Sequence, residues 1–150
     1  LGEPGFPPPN PDAVAFLTRP APSDREGYIS YSMELSRVLG GRLPLDEAYA
    51  SSTAARAYDR AFHPDGVARQ YAAFLATGSL KEGLRRLDVP TLIVHGSDDP
   101  LISLDAAAAM AEVTPRAELL VVDGMGHAVN ECPQAWPPVL EAFTRHARKG

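Results

Sequence analysis

The sequence predicts an α/β fold, two parallel strands with flanking helices behind an all-helical stretch, and three observations predict it. Two short apolar runs, Val89–Gly96 and Ala117–Val122, are each closed by a turn containing glycine, the pattern of buried strands. One helix-length segment, Leu104–Val113, lies between them. Strand, helix and strand make a βαβ unit, whose right-handed crossover sets the two strands parallel and sends both carboxyl ends to one edge. Upstream, residues 23–86 place apolar side chains at helical spacing rather than in alternation.

In chain order, residues 1–22 carry Pro4, Pro7, Pro8, Pro9, Pro11, Pro20 and Pro22, a density that predicts an extended connector with one short helix over Asp12–Thr18. Ser23 and Glu26 have the spacing of a capping box, opening a helix whose face holds Tyr28, Tyr31, Leu35, Val38 and Leu39 and which Gly40-Gly41 ends. Asp46–Phe62 is a second, alanine-rich helix, and His63-Pro64-Asp65-Gly66 reads as a turn. Val67, Tyr71, Phe74 and Leu75 share a third helical face closed by Gly78. Ser79 and Glu82 repeat the capping-box spacing ahead of Leu80, Leu84 and Leu87.

After the first strand, Ser97-Asp98-Asp99-Pro100 turns the chain and Ser103 caps the connecting helix, which Thr114-Pro115 stops because a residue before proline avoids helical angles. The second strand runs into Asp123-Gly124-Met125-Gly126-His127. Pro133–Ala147 predicts a closing helix that tolerates Pro137 and Pro138 near its first turns and packs Trp136, Val139, Leu140 and Phe143 on the sheet. The domain reading is therefore 1–22 connector, 23–86 helical insertion and 87–150 βαβα segment.

Composition narrows the function classes. With 150 residues and 45% hydrophobic content the chain can build one sizeable core. A net charge of -5 and a pI near 5.3 offer no basic patch, so nucleic acid is not an expected partner. No apolar run is long enough to span a bilayer, so no membrane partner is expected either, and the cytoplasm is the default compartment. Cys132, the single cysteine, has no partner for a disulfide or for a CxxC metal site and reads as an inert buried thiol.

Asp99 and His127 leave neighbouring strand ends, and adjoining strands lie about 4.8 Å apart, so their side chains can meet. A carboxylate that fixes the tautomer of an imidazole is two-thirds of a nucleophile-activating triad. Val-Pro-Thr-Leu-Ile-Val-His-Gly-Ser-Asp-Asp-Pro over 89–100, followed by Gly-Met-Gly-His over 124–127, resembles the C-terminal part of an α/β-hydrolase sheet. In that family the acid stands three residues after the glycine and the histidine follows the last strand, which falls on Asp99 and His127. The resemblance implies a hydrolase acting on a carboxylic ester, with no metal or cofactor, and makes residues 23–86 a cap over the site. Within the family the proline-rich entry and Gly-Met-Gly-His look most like methyl esterases of aromatic polyketide tailoring; lactonase, C–C bond hydrolase, dehalogenase and epoxide hydrolase stay open.

The family's nucleophile sits in a Gly-x-Ser-x-Gly elbow, and none of the nine serines here is flanked in that way. The expected partners are accordingly a small-molecule ester and the N-terminal half of the hydrolase domain, in cis or in trans. The isolated chain is expected to be inactive, and the competing reading is a non-catalytic truncated or complementing module. Among the cap aromatics and the methionines, Tyr28, Tyr31, Phe74 and Met125 are the candidate substrate contacts. Asp98, Asp123, His63, His95 and His146 are weaker candidates for chemistry, being ordinary turn, strand-end or surface residues.

Overall fold

The computed structural model describes residues 6–128 and 132–148. The start of the proline-rich connector, 1–5, and the end of the closing segment, 149–150, lie outside the described residues. The elements run α1 (Pro11–Thr18), α2 (Arg25–Leu39), α3 (Glu47–Arg60), α4 (Pro64–Thr77), α5 (Lys81–Leu84), β1 (Thr91–Gly96), α6 (Leu104–Val113), β2 (Ala117–Val122) and α7 (Trp136–Ala147). A single 3₁₀ turn, Pro133–Ala135, leads into α7.

The strands pair in parallel with Thr91 opposite Ala117 and Gly96 opposite Val122, so both carboxyl ends finish level. Between them α6 starts on Ser103, whose side chain accepts from the Ala106 amide, and stops at Thr114 as the following proline requires. The helix starts differ from expectation in three places, one of them α5, a single turn whose N-cap is Leu80 with no side-chain cap rather than Ser79. α2 is capped by Asp24, whose carboxylate accepts from the Gly27 amide, while the Ser23 carbonyl accepts from the Tyr58 hydroxyl. His63–Gly66 is no free turn but the start of α4, with Pro64 in its first turn, where proline lacks only an amide that would be unpaired anyway.

Two core clusters flank the strand ends. Val122, Met125, Cys132 and Ala135 pack with Leu43, Val94, Leu120 and Val139, and Ala13, Leu39 and Leu101 pack with Val14, Leu17, Leu35 and Ile102. Residues of the connector, of the helical stretch and of the strand-end loops thus meet in shared cores. Farther out the packing thins: α4 buries no residue, and Leu140 and Phe143 of α7 are 55% and 61% exposed. Of the expected packing face of α7, Val139 packs on the core while Trp136, Leu140 and Phe143 do not turn inward. Ala135, Val139 and Ala142 turn inward, small side chains that let the helix approach the sheet, and Arg145 pairs with Glu118 of β2 at 2.8 Å. Trp136, Leu140 and Phe143 lie one residue round, on the outer stripe. Among the described residues no helix is long and apolar enough to cross a membrane.

Candidate active site

β1 ends at Gly96, and the loop beyond it is built around one carboxylate. Asp99 Oδ1 accepts from the amides of Leu101 (2.8 Å) and Ile102 (3.0 Å), which closes the turn and fixes the plane of the carboxylate. The other oxygen, Oδ2, lies 2.9 Å from His127 Nδ1. Only 5% of the Asp99 side chain is exposed, against 38% for His127. Burial pushes the Asp99 carboxyl up, but the His127 bond and the two amides outweigh it, and it stays ionised below its ordinary range. The same bond raises the His127 imidazole above its usual value against the opposing effect of burial. An ionised partner at Nδ1 demands a proton there, so the neutral ring presents Nε2 as a base. No described residue hydrogen-bonds Nε2.

His127 is held from behind by main chain. Its amide donates to the Leu39 carbonyl at 2.7 Å, the Gly126 amide donates to the Gly40 carbonyl at 3.0 Å, and the Arg42 and Leu43 amides both donate to the Gly124 carbonyl. Gly41 (φ 74°) forms an antiparallel bridge with Met125. This contact has no room for side chains: a Cβ on Gly126 would collide with the Leu39 carbonyl oxygen and the Gly40 carbonyl carbon, and one on Gly41 would sit 2.6 Å from the Gly124 oxygen. The Asp98 amide completes the knot by donating to the Met125 carbonyl at 3.0 Å.

A cavity of about 480 Å³ opens beside the pair, lined by Asp99, His127, Met125 and Phe74 together with Leu80, Leu84, Leu101, Ile102 and Met110. Its wall is largely apolar, with Lys81 the cation in it. Four candidates from the sequence thus share one space. Tyr28 and Tyr31 are placed elsewhere. Tyr28 clusters with Tyr58 and Phe62, ring centroids 5.5 and 5.6 Å away, and so ties α2 to α3. Tyr31 stacks on Phe16 at 5.3 Å and its hydroxyl donates toward the Phe16 and Arg19 carbonyls, which spends its polar atom on joining α1 to α2. His95 is buried with Nε2 3.0 Å from the Ile102 carbonyl, beneath the acid loop. The described residues contain no group of three or more His, Cys, Asp or Glu side chains arranged to hold a metal ion.

Arg42, Ser97 and the Gly40-Gly41 pair were not legible as site residues. The glycines read only as a helix stop, and an arginine 56 positions before Asp98 carries no spacing signal.

A family model for the α/β hydrolase fold matches residues 20–131. The chain belongs to the α/β-hydrolase fold family. It is 42% identical over 53 residues to the non-heme chloroperoxidase CPO-A1 of Kitasatospora aureofaciens, a match covering 35% of this chain and 19% of that protein. It is 37% identical over 76 residues to a non-heme chloroperoxidase of Streptomyces lividans, covering 49% and 27%. The crystal structure of the esterase RhEst1 from Rhodococcus sp. ECU1013 superposes with a TM-score of 0.59 at 24% identity, over 93% of this chain and 47% of that one. This α/β-hydrolase chain therefore spans about half the length of the solved esterase and less of the curated relatives.

Proposed function

We propose that this chain contributes the acid and the histidine of a Ser-His-Asp triad to an enzyme that hydrolyses a carboxylic ester. The observation that carries the reading is the Asp99 carboxylate, with one oxygen bound by two amides and the other on His127 Nδ1, at the mouth of an apolar cavity. The serine and the oxyanion-hole donors come from the N-terminal half of the hydrolase domain, in cis or in trans. His127 Nε2 takes the serine proton as the hydroxyl attacks the ester carbonyl, then returns it to the leaving alcohol. A water activated in the same way releases the acid. Asp99 keeps the ring in the reactive tautomer and stabilises its charged form.

Residues 23–86 act as the cap, and Phe74, from α4, is the aromatic that this cap brings to the cavity. An apolar wall favours a bulky, largely apolar ester over a short polar one. The test compares kcat/KM for a polycyclic aromatic methyl ester with that for a short-chain acetate ester, in the complete enzyme and in Phe74→Ala. The reading expects the bulky ester to be preferred and the preference to fall in the variant. Equal values in both proteins would remove the support for the bulky substrate. Peroxide-dependent chlorination without ester hydrolysis would move the protein toward the chloroperoxidases it resembles.

A further inference from the structure

Arg42 follows the two glycines that end α2 and reaches across to the loops that carry the dyad. Its Nε donates to Asp98 Oδ2 at 2.6 Å, and its Nη2 reaches Asp98 Oδ1 at 3.2 Å and Asp123 Oδ1 at 3.0 Å. Asp98 precedes Asp99 directly, and Asp123 opens the turn that ends on His127. Ser97 Oγ lies between the same carboxylates, 2.8 Å from Asp98 Oδ1 and 3.3 Å from Asp123 Oδ1, and accepts from the Gly124 amide at 2.8 Å. One guanidinium and one hydroxyl therefore stitch the acid loop to the histidine loop.

We propose that Arg42 is a positioning residue: from the helical insertion it holds the two strand-end loops in register and so keeps the His127 ring on Asp99. The Arg42 side chain is 67% exposed, and a single ion pair at such a site is worth little. The weight rests on geometry. A planar fork contacts one carboxylate twice and its neighbour once, which a point charge cannot reproduce. Without the guanidinium, only the Ser97 hydroxyl joins the Asp98 and Asp123 carboxylates, and their mutual repulsion, weakened by solvent at the exposed Asp123, no longer meets a cation.

The inference rests on reading Asp99 and His127 as the dyad, yet its test needs no turnover. Among the described residues, the charged and titratable groups around His127 are Asp99 on its ring, His95 behind Asp99, Lys81 in the cavity wall, and Arg42, Asp98 and Asp123 across the loops. Removing the Arg42 cation leaves more negative charge nearby, which by field alone raises the imidazole pKa. Loss of register weakens the Asp99 bond, which lowers it. The two effects have opposite signs.

The experiment is an NMR titration of the purified protein with labelled histidine, in which four histidines are present and His127 is assigned by its disappearance in His127→Gln. Arg42→Ala is expected to move the His127 midpoint down, toward that of a free imidazole. Arg42→Lys keeps the charge and loses the fork, so it lacks the raising field effect and should also move the midpoint down. Ser97→Ala changes no charge and should move the midpoint in the same downward direction. An unchanged or raised midpoint in folded Arg42→Ala overturns the proposal. Should that variant not fold, the same outcome in Ser97→Ala overturns it. The expected His127 shift together with no ester hydrolysis by the complete enzyme, its N-terminal half included, defeats the functional reading and leaves this one standing.

Discussion

The loops beyond β1 and β2 and the helix α4 are both short stretches of one chain, yet they are held in opposite ways. In the loops, His127, Gly126, Gly124, Asp98 and Asp99 each have a backbone group or carboxylate engaged across a segment boundary, and Met125 is 3% exposed. α4 buries no residue, and Val67 and Leu75 stand 60% and 63% exposed. Long-range backbone bonds hold the loops in one register, the kind of positioning that acid–base chemistry needs. α4 has its own helical hydrogen bonds but little to pack against, so its position depends on what covers it.

The strongest way to break this contrast is at the dyad. Asp99→Asn and His127→Ala are expected to lower kcat of the complete enzyme by about 10⁴-fold and about 10⁶-fold, the scale for losing the acid or the base of a triad. Steady-state rates on an activated ester check it, and a loss under tenfold would exclude these residues from the chemistry. The isolated 150-residue chain should show no turnover above background, since it has no elbow serine.

Gly126→Ala attacks the knot itself. The added methyl has to displace the Leu39 carbonyl or the His127 loop. A loss of about 2 kcal/mol or more is expected, from overpacking in a close backbone contact. Chemical denaturation of parent and variant measures it, and an unchanged midpoint would mean that α2 gives way without strain.

The pH dependence sharpens the comparison. His127 has to be neutral to act as a base, and its bond to Asp99 raises its pKa above the ordinary 6.5, so kcat/KM should climb through a midpoint above 6.5. Asp99→Asn should bring that midpoint down. For stability the signs run apart. The raised His127 contributes stability that is complete below about 6.5 and is lost as pH rises through its folded value, while the lowered Asp99 contributes stability present above about 3.8 and lost as pH falls. Thermal melts across pH read both limbs.

The smallest effect belongs to the loosely held side. Val67→Ser or Leu75→Ser on α4 should change the stability of this chain by no more than about 0.5 kcal/mol, as for exposed positions generally. A larger loss would mean that α4 is covered in solution. The chain by itself, with two strands among the described residues and exposed Leu140 and Phe143, is expected to self-associate. A monodisperse monomer with a sharp cooperative melt would contradict that.

The sequence alone determined what local chemistry and period can carry. Two apolar runs around a capped helix specify a βαβ unit, and its handedness brings Asp99 and His127 to one sheet edge, where they are found 2.9 Å apart. The helix stops at Gly40-Gly41 and at Gly78, and the start of α6 at Ser103, follow from glycines that take a left-handed φ, Gly41 and Gly78, and from a serine suited to a cap. Only the tertiary structure decided which way each helix faces. Tyr28 and Tyr31 share a helical face with Leu35 and Leu39, but whether that face meets a cavity or another helix depends on where α1 and α3 sit. On α7 the inward stripe keeps the expected Val139 but replaces Leu140 and Phe143 by Ala135 and Ala142, because hydrophobicity favours the former and close approach to the sheet the latter. Arg42 reaches Asp98 and Asp123 across 56 and 81 positions of chain, and no sequence period encodes a contact of that separation. Such contacts arise when a double glycine lets one backbone touch another, and that meeting exists only in three dimensions.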